Sequence, residues 1–281
     1  MVLASLREAL GLITRNPALW LPGIVLALAG AADLNIEYYG GSFLAGKLWI
    51  LEIIIMPFFV AGLLAAVKTK DMTFRGFVTA GVGNYFRVLL PGIVILFAAL
   101  ITAVMLVIPL SLIGTPESAL SLYAGILIGV AVPFIFLMYF YDAVAVFENE
   151  KVFESIRRSI ELTMNHTGLV IKFFLVNIAI LLAGFFVVFM VWTMMFFDKL
   201  TPLTTMNATE IQTVTPESFI SLLGAEGILI SSIIFAAGAL VLVTVLYTYK
   251  ACFYKVLSGT TLPVAAVSQG EYDEKGRWYK Y

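Results

Sequence analysis

SLREALGLITRNPALWLPGIV, residues 5–25, sets an amphipathic segment with basic residues directly against a long apolar stretch. The chain repeats this arrangement in TFRGFVTAGVGNYFRVLLPGIV at 73–94 and in VFESIRRSIELTMNHTGLVIKFFLV at 152–176. Leu6, Phe74 and Phe153 open the amphipathic segments, and fifteen or sixteen residues separate each from its apolar stretch. A unit repeated on this scale reports how a chain is built. Here it reads as a helix lying along a membrane surface, followed by a pair of membrane-spanning helices.

Composition identifies the solvent. Of 281 residues, 61% are hydrophobic and 12% charged, against roughly 25% charged in a soluble domain. Mean hydropathy is +1.01. So much apolar surface cannot all be buried by the chain itself, so lipid must cover much of it. A net charge of -1 gives no basic field for a nucleic-acid partner. One cysteine, Cys252, excludes an intrachain disulfide or thiolate cluster, and one histidine, His166, excludes an imidazole-rich metal site. The expectation is no cofactor and no metal.

A bilayer core about 30 Å thick needs about 20 apolar residues per helix. Six stretches qualify: 18–34, 43–67, 86–110, 119–147, 168–197 and 227–257. LALAGAA at 26–32 loosely resembles a signal-peptide cleavage site. The same LPGIV pattern at 90–94, deep in the chain, argues that the first stretch is a retained helix. With both termini inside, fifteen of the seventeen Lys and Arg residues fall on the inner side, and only Lys47 and Lys199 on the outer half. That asymmetry predicts six spans with cytoplasmic termini, and the cell membrane of a prokaryote is the expected location.

The fold class is therefore an all-α integral membrane protein. It has six transmembrane helices as three repeated hairpins, each preceded by an inner-surface amphipathic helix. Residues 1–257 form one membrane domain, 198–225 an outer loop and 258–281 a polar cytoplasmic tail. Thr-Pro-Glu-Ser occurs at 115–118 and again at 215–218. A Thr cap, a Pro in the first turn and an acid at the positive end of the dipole predict helix starts near Pro116 and Pro216. In the third amphipathic segment Phe153, Ile156, Ile160 and Met164 recur at helical spacing, with Glu154, Arg157, Arg158 and Glu161 on the other face. Two readings of that segment stand, a membrane-surface helix carrying Arg157 and Arg158 or a plain connector docked on the protein.

Charge in a bilayer is costly and marks function by default. Glu52 lies nine residues into the second span, roughly 13 Å deep, and Asn177 at a similar depth in the fifth. Together they could form a polar step for an ion, proton or small solute, or simply join helices. Lys47 is five residues from Glu52 and points elsewhere, so each needs a partner on another helix. Asp142, Arg87 and Lys250 gather near the inner boundary as an expected ion network or structural clamp. Pro57 and Pro133 interrupt spans two and four, and Gly125-x-x-x-Gly129 marks close helix packing within the chain or in a homo-oligomer. Asn207-Ala208-Thr209 is a glycosylation sequon on the outer side, and Asn165-His166-Thr167 one on the inner side. No Walker loop, dinucleotide fingerprint, HExxH or GxSxG is present. Acids interleaved with bases also give no cluster for metal-dependent phosphotransfer, so catalysis is not the expected role.

The stretch YFYDAVAVFENEKVFESIRRSIELTMNHTGLVIKFFLV, residues 139–176, resembles the membrane domain found beside some glycerophosphoryl diester phosphodiesterases, and related multi-span proteins of bacteria and archaea. Tyr141, Glu148, Ser155, Arg157, Arg158 and Ser159 carry the resemblance, and RNPALWLPG at 15–23 fits it. It implies a six-helix membrane domain with no catalytic residues of its own. The soluble phosphodiesterase domain is absent from this sequence, so its activity does not transfer. The threefold layout is also similar to that of mitochondrial carriers, but their Pro-x-Asp/Glu-x-x-Lys/Arg motif is missing and the likeness is architectural only.

Two functions follow from the sequence. One is a channel or transporter-like protein for an ion, small solute or lipid, with Glu52 and Asn177 on the route. The other is a membrane scaffold or accessory protein that recruits partners through its inner helices and tail. The expected partners are the lipid bilayer and a second copy of the chain in a homo-oligomer, with the substrate left open.

Overall fold

Arg15-Asn16-Pro17 sets the first boundary. Proline disfavours helical geometry in the residue before it, and Asn16 is extended at φ -130° and ψ 95°. Helix α1, Val2–Arg15, ends there, and a short 3-10 turn, Pro17–Trp20, leads into α2, Leu21–Tyr38. The remaining helices are α3 (Ser42–Thr69), α4 (Phe74–Ser111), α5 (Ala119–Met138), α6 (Tyr141–Phe147), α7 (Val152–Asn165), α8 (Thr167–Met195), α9 (Phe197–Thr205) and α10 (Pro216–Thr260). Strands β1 (Gly270–Tyr272) and β2 (Trp278–Lys280) pair antiparallel in the tail, with Gly270 opposite Lys280. The structure is a computed structural model describing residues 1–69, 73–111, 119–205, 215–260, 270–272 and 278–280.

Among the described residues six helices are long and apolar enough to cross a membrane, in the stretches Pro17–Tyr38, Gly46–Thr69, Phe74–Pro109, Ala124–Phe147, Thr167–Met195 and Ser218–Gly259. Their outward faces are apolar, as Leu182, Phe185 and Phe186 of α8 illustrate at 61–65% exposure. Apolar surface on this scale needs lipid against it. α2 packs on α10 and α3, α3 on α4, and α4 on α5, while α8 leans on α10. At one end, which carries α1, α7 and the close of α10, the chain is dense. Phe140, Phe173, Tyr249, Phe253 and Tyr254 are fully buried there, with the Phe173 and Phe253 rings stacked 4.4 Å apart. We call this the basic end, since Lys68, Arg87, Arg158 and Lys255 all bond there.

The second amphipathic segment differs from expectation. It is not a separate surface helix but the first third of α4, which runs unbroken from Phe74 to Ser111. In the first copy Pro17 stands five residues before the LPGIV proline, whereas the second copy has Phe86 there. Nothing in the second copy forces the chain out of helix. Pro91 and Pro109 are carried inside α4, as Pro57 and Pro133 are inside α3 and α5.

Helix α7 turns small polar residues inward. Ser155, Ser159, Leu162 and Thr163 are buried, while Phe153 and Met164 remain 70% and 65% exposed. Ser159 splints the break between α5 and α6: its hydroxyl donates to Leu137 O at 3.0 Å and accepts from Phe140 N at 3.2 Å. Arg158 joins Glu148 at 3.2 Å and Glu161 at 3.7 Å, and Tyr254 donates to the other Glu148 oxygen at 2.5 Å. Among the described residues Arg157 pairs only with Glu161, and it is 76% exposed. Arg158→Ala is expected to cost about 2 kcal/mol through lost charge-assisted bonds, and Arg157→Ala no more than about 0.5 kcal/mol, as an exposed pair. Thermal unfolding of the purified variants in detergent checks the difference.

The second Thr-Pro-Glu-Ser starts α10 as expected. Thr215 Oγ1 accepts from Ser218 N at 3.2 Å, capping the helix beginning at Pro216. α10 breaks at Gly224, whose φ of 69° suits glycine. Pro116 and the sequon at Asn207 lie outside the described residues. Gly125 and Gly129 meet nothing within 4 Å among the described residues, so GxxxG makes no close helix contact there. Close helix approach falls instead at Gly23, against Leu240 and Thr244, and at Gly184 and Gly238, between α8 and α10.

Candidate functional site

Two short runs with the same pattern and opposite charge converge beside the aromatic core: Tyr139-Phe140-Tyr141-Asp142 and Tyr247-Thr248-Tyr249-Lys250. The first lies at the α5–α6 junction and the second within α10. Lys250 Nζ donates to Asp142 Oδ2 at 2.8 Å and lies 2.7 Å from Oδ1. Both side chains are nearly sealed, at 6% and 5% exposure. Asp142 sits in the first turn of α6, where the helix dipole favours an anion, and its Oδ1 accepts the Ala143 amide at 2.7 Å. The ammonium lies 4.2 Å from the centre of the Tyr139 ring, a cation–π distance. The pair therefore has its charges, and several of its hydrogen bonds, matched within the protein.

Two cavities open onto it. One, about 440 Å³, lies between α4, α5 and α10, walled by Ile95, Ala99, Ala131, Phe134 and Ile135. The other, about 310 Å³, lies between α3 and α4, walled by Ile53, Met56, Val60, Leu89 and Ile93. Both share Gly92, Leu96, Tyr141, Asp142 and Tyr247. They are two lobes over one floor. On α4 the lining climbs from Val88 to Ala99, away from the basic end, so the ion pair closes the lobes at that end. Tyr139, Tyr141 and Tyr247 are half-buried around it, and their hydroxyls have no hydrogen-bond partner among the described residues. Gly92 keeps the floor open, because a Cβ there would sit 2.8 Å from the Tyr141 hydroxyl. A larger furrow of about 570 Å³ runs between α8 and α10, but Val187, Val191, Ile233 and Val241 line it and no charged side chain does among the described residues. It is lipid-facing surface rather than a site with chemistry.

Of the residues marked by sequence, Asp142 and Lys250 come together. Arg87 does not join them: it is exposed and donates to Asn149 Oδ1 at 2.9 Å, across the bend where Asn149 takes a positive φ of 58°. Glu52 is half-buried on α3 with Asp33 of α2 as its charged neighbour. Asn177 is buried on α8, donating to Phe173 O at 2.8 Å, with its own oxygen unpartnered among the described residues. No hydrogen bond joins Glu52 to Asn177 among the described residues. Lys47 is exposed, 4.8 Å from the Phe43 ring centre. The three tyrosines were not among the candidates. The paired Tyr-x-Tyr-Asp and Tyr-x-Tyr-Lys runs were the available signal.

Fold and site together define a polytopic membrane protein with a buried ion pair under apolar cavities. Residues 1–257 match the family described as a domain of unknown function, DUF7847, and the chain belongs to it. No curated protein and no solved structure matches the chain.

Proposed function

We propose that this is a transporter-like membrane protein whose substrate, a small polar solute or a lipid, enters the lobes and meets the Asp142–Lys250 pair. The observation that carries this is the set of three tyrosyl hydroxyls, without a hydrogen-bond partner among the described residues, around a sealed ion pair at the foot of cavities otherwise apolar. Ligand sites in membrane bundles have this make-up, an apolar wall with few convergent polar groups. Glu52 and Asn177 then serve as separate polar points above the site. The proposal includes the finer architecture, three hairpins with both termini cytoplasmic in a prokaryotic membrane, supported by the gathering of basic residues at one end. It also includes kinship with the phosphodiesterase-associated membrane domain, supported by the structural use of residues that carry the resemblance, Arg158 pairing with Glu148 and Ser159 bonding Leu137 O.

Leu96→Cys tests the transport reading. Leu96 borders both lobes, and the native Cys252 is fully buried. Maleimide attacks the thiolate, which needs water. In reconstituted vesicles a membrane-impermeant maleimide is expected to label position 96 far faster than Cys252. A thiol reached only by a membrane-soluble reagent would sink transport of a solute through this route. The scaffold reading draws on exposed Leu3, Leu10, Phe153 and Met164 beside Arg7 and Arg157, a surface suited to membrane or partner contact; homo-oligomerisation through Gly125 and Gly129 belongs with it.

A further inference from the structure

Resting on the reading of the lobes as a substrate site, we infer that the ligand is a two-chain lipid whose headgroup carries both a primary ammonium and a phosphate. Four features lead there. The site is electrically neutral, since Asp142 and Lys250 bond each other at 2.7–2.8 Å. An anionic head would gain Lys250 but release Asp142 beside it, buried and unpaired. A cationic head would do the reverse. A zwitterion exchanges one internal pair for two, ammonium on Asp142 and phosphate on Lys250, and no charge is stranded.

The second feature is hydrogen bonding. Asp142 now accepts N–H donors from Lys250 and Ala143. A primary ammonium reproduces the donors that leave with Lys250, whereas a quaternary one has none to give. The hydroxyls of Tyr139, Tyr141 and Tyr247 remain as donors for phosphate oxygens. The third feature is the number of lobes: two apolar cavities meet at one polar floor, separated above it and joined at Gly92 and Leu96. One chain per lobe fits that branching, and each buried methylene contributes. The fourth is direction. The pair closes the lobes at the basic end, and the lobes run toward the middle of the bundle. A lipid in the leaflet at the basic end already holds its head and chains in that posture, so entry requires no inversion.

The test uses the full chain carrying Leu96→Cys, purified in detergent. The rate of N-ethylmaleimide labelling at position 96 is read against added dioleoyl phosphatidylethanolamine, phosphatidylglycerol, phosphatidylcholine, lysophosphatidylethanolamine and glycerophosphoethanolamine. The ethanolamine lipid is expected to protect at concentrations about tenfold below the glycerol and choline lipids, the size of one charge-assisted hydrogen bond. The lyso form should protect less well, and the chainless headgroup not at all. Asp142→Asn combined with Lys250→Met, which strands no charge, should erase the preference while leaving chain-driven protection. Tyr141→Phe, which keeps the packing, should weaken protection by the ethanolamine lipid several-fold. Equal protection by the glycerol or choline lipid, equal protection by the lyso form, protection by the headgroup alone, or an unchanged preference in the double variant would each overturn the inference while the site itself stands. A position 96 that no reagent labels, with or without lipid, would remove the site and the inference together.

Discussion

Asp142→Asn is expected to destabilise the protein by about 3–5 kcal/mol, the usual cost of leaving a buried charge without its partner. Lys250 would keep the Tyr139 ring at 4.2 Å but lose both carboxylate oxygens. Its long stem is held within α10 between the aromatic core and the lobes, so the ammonium has no short path to water. Adding Lys250→Met to the same chain removes the stranded charge and keeps the volume, and is expected to recover most of the loss. Thermal unfolding in detergent for wild type, single and double variants measures both steps. A single variant as stable as wild type would mean that the pair is already open to water, and the account of the site would fall with it.

Gly23→Val is the second large effect. α2 packs along α10, and the two approach so closely at Gly23 that even a Cβ would overlap the Leu240 carbonyl oxygen and the Thr244 hydroxyl. A carbonyl on the neighbouring backbone cannot swing aside as a side-chain tip can. The helices must part along their length. The expected loss is about 3 kcal/mol, the upper range for overpacking, seen as reduced yield of folded protein and a lower unfolding temperature. Gly83→Ala supplies a control of opposite sign. A Cβ there meets nothing within 4 Å, and Gly83 lies within α4, so removing glycine from a helix is expected to add roughly 0.5–1 kcal/mol.

The spans were legible because a bilayer imposes a length and a polarity on any helix that crosses it, and the described residues meet both six times. The start of α10 was legible because Thr215 and Pro216 act locally. What local reading missed was set by absence and by distance. α4 runs on because Phe86 stands where the first copy has a breaker, and a missing breaker is hard to see beside a motif that otherwise repeats. Depth along the membrane places Arg87 with Asp142 and Lys250, but depth does not fix the direction around a helix, and the Arg87 side chain reaches Asn149 instead. The tyrosines were invisible as site residues because an aromatic at a helix end ordinarily packs or anchors. Only the meeting of residues 139–142 with 247–250, more than a hundred positions apart, turns them toward a shared floor.

The unbroken course of α4 has a mechanical result. Its 38 residues measure about 57 Å at 1.5 Å per residue, nearly twice the hydrocarbon thickness. Residues 74–85 thus form the handle of a rigid rod whose other arm walls the lobes. The rod's weak point is Pro91, which lacks an amide to bond and adjoins Gly92. A push on the handle, from a neighbouring protein or from the bilayer surface, is delivered as a bend at Pro91, next to the glycine that keeps the floor open.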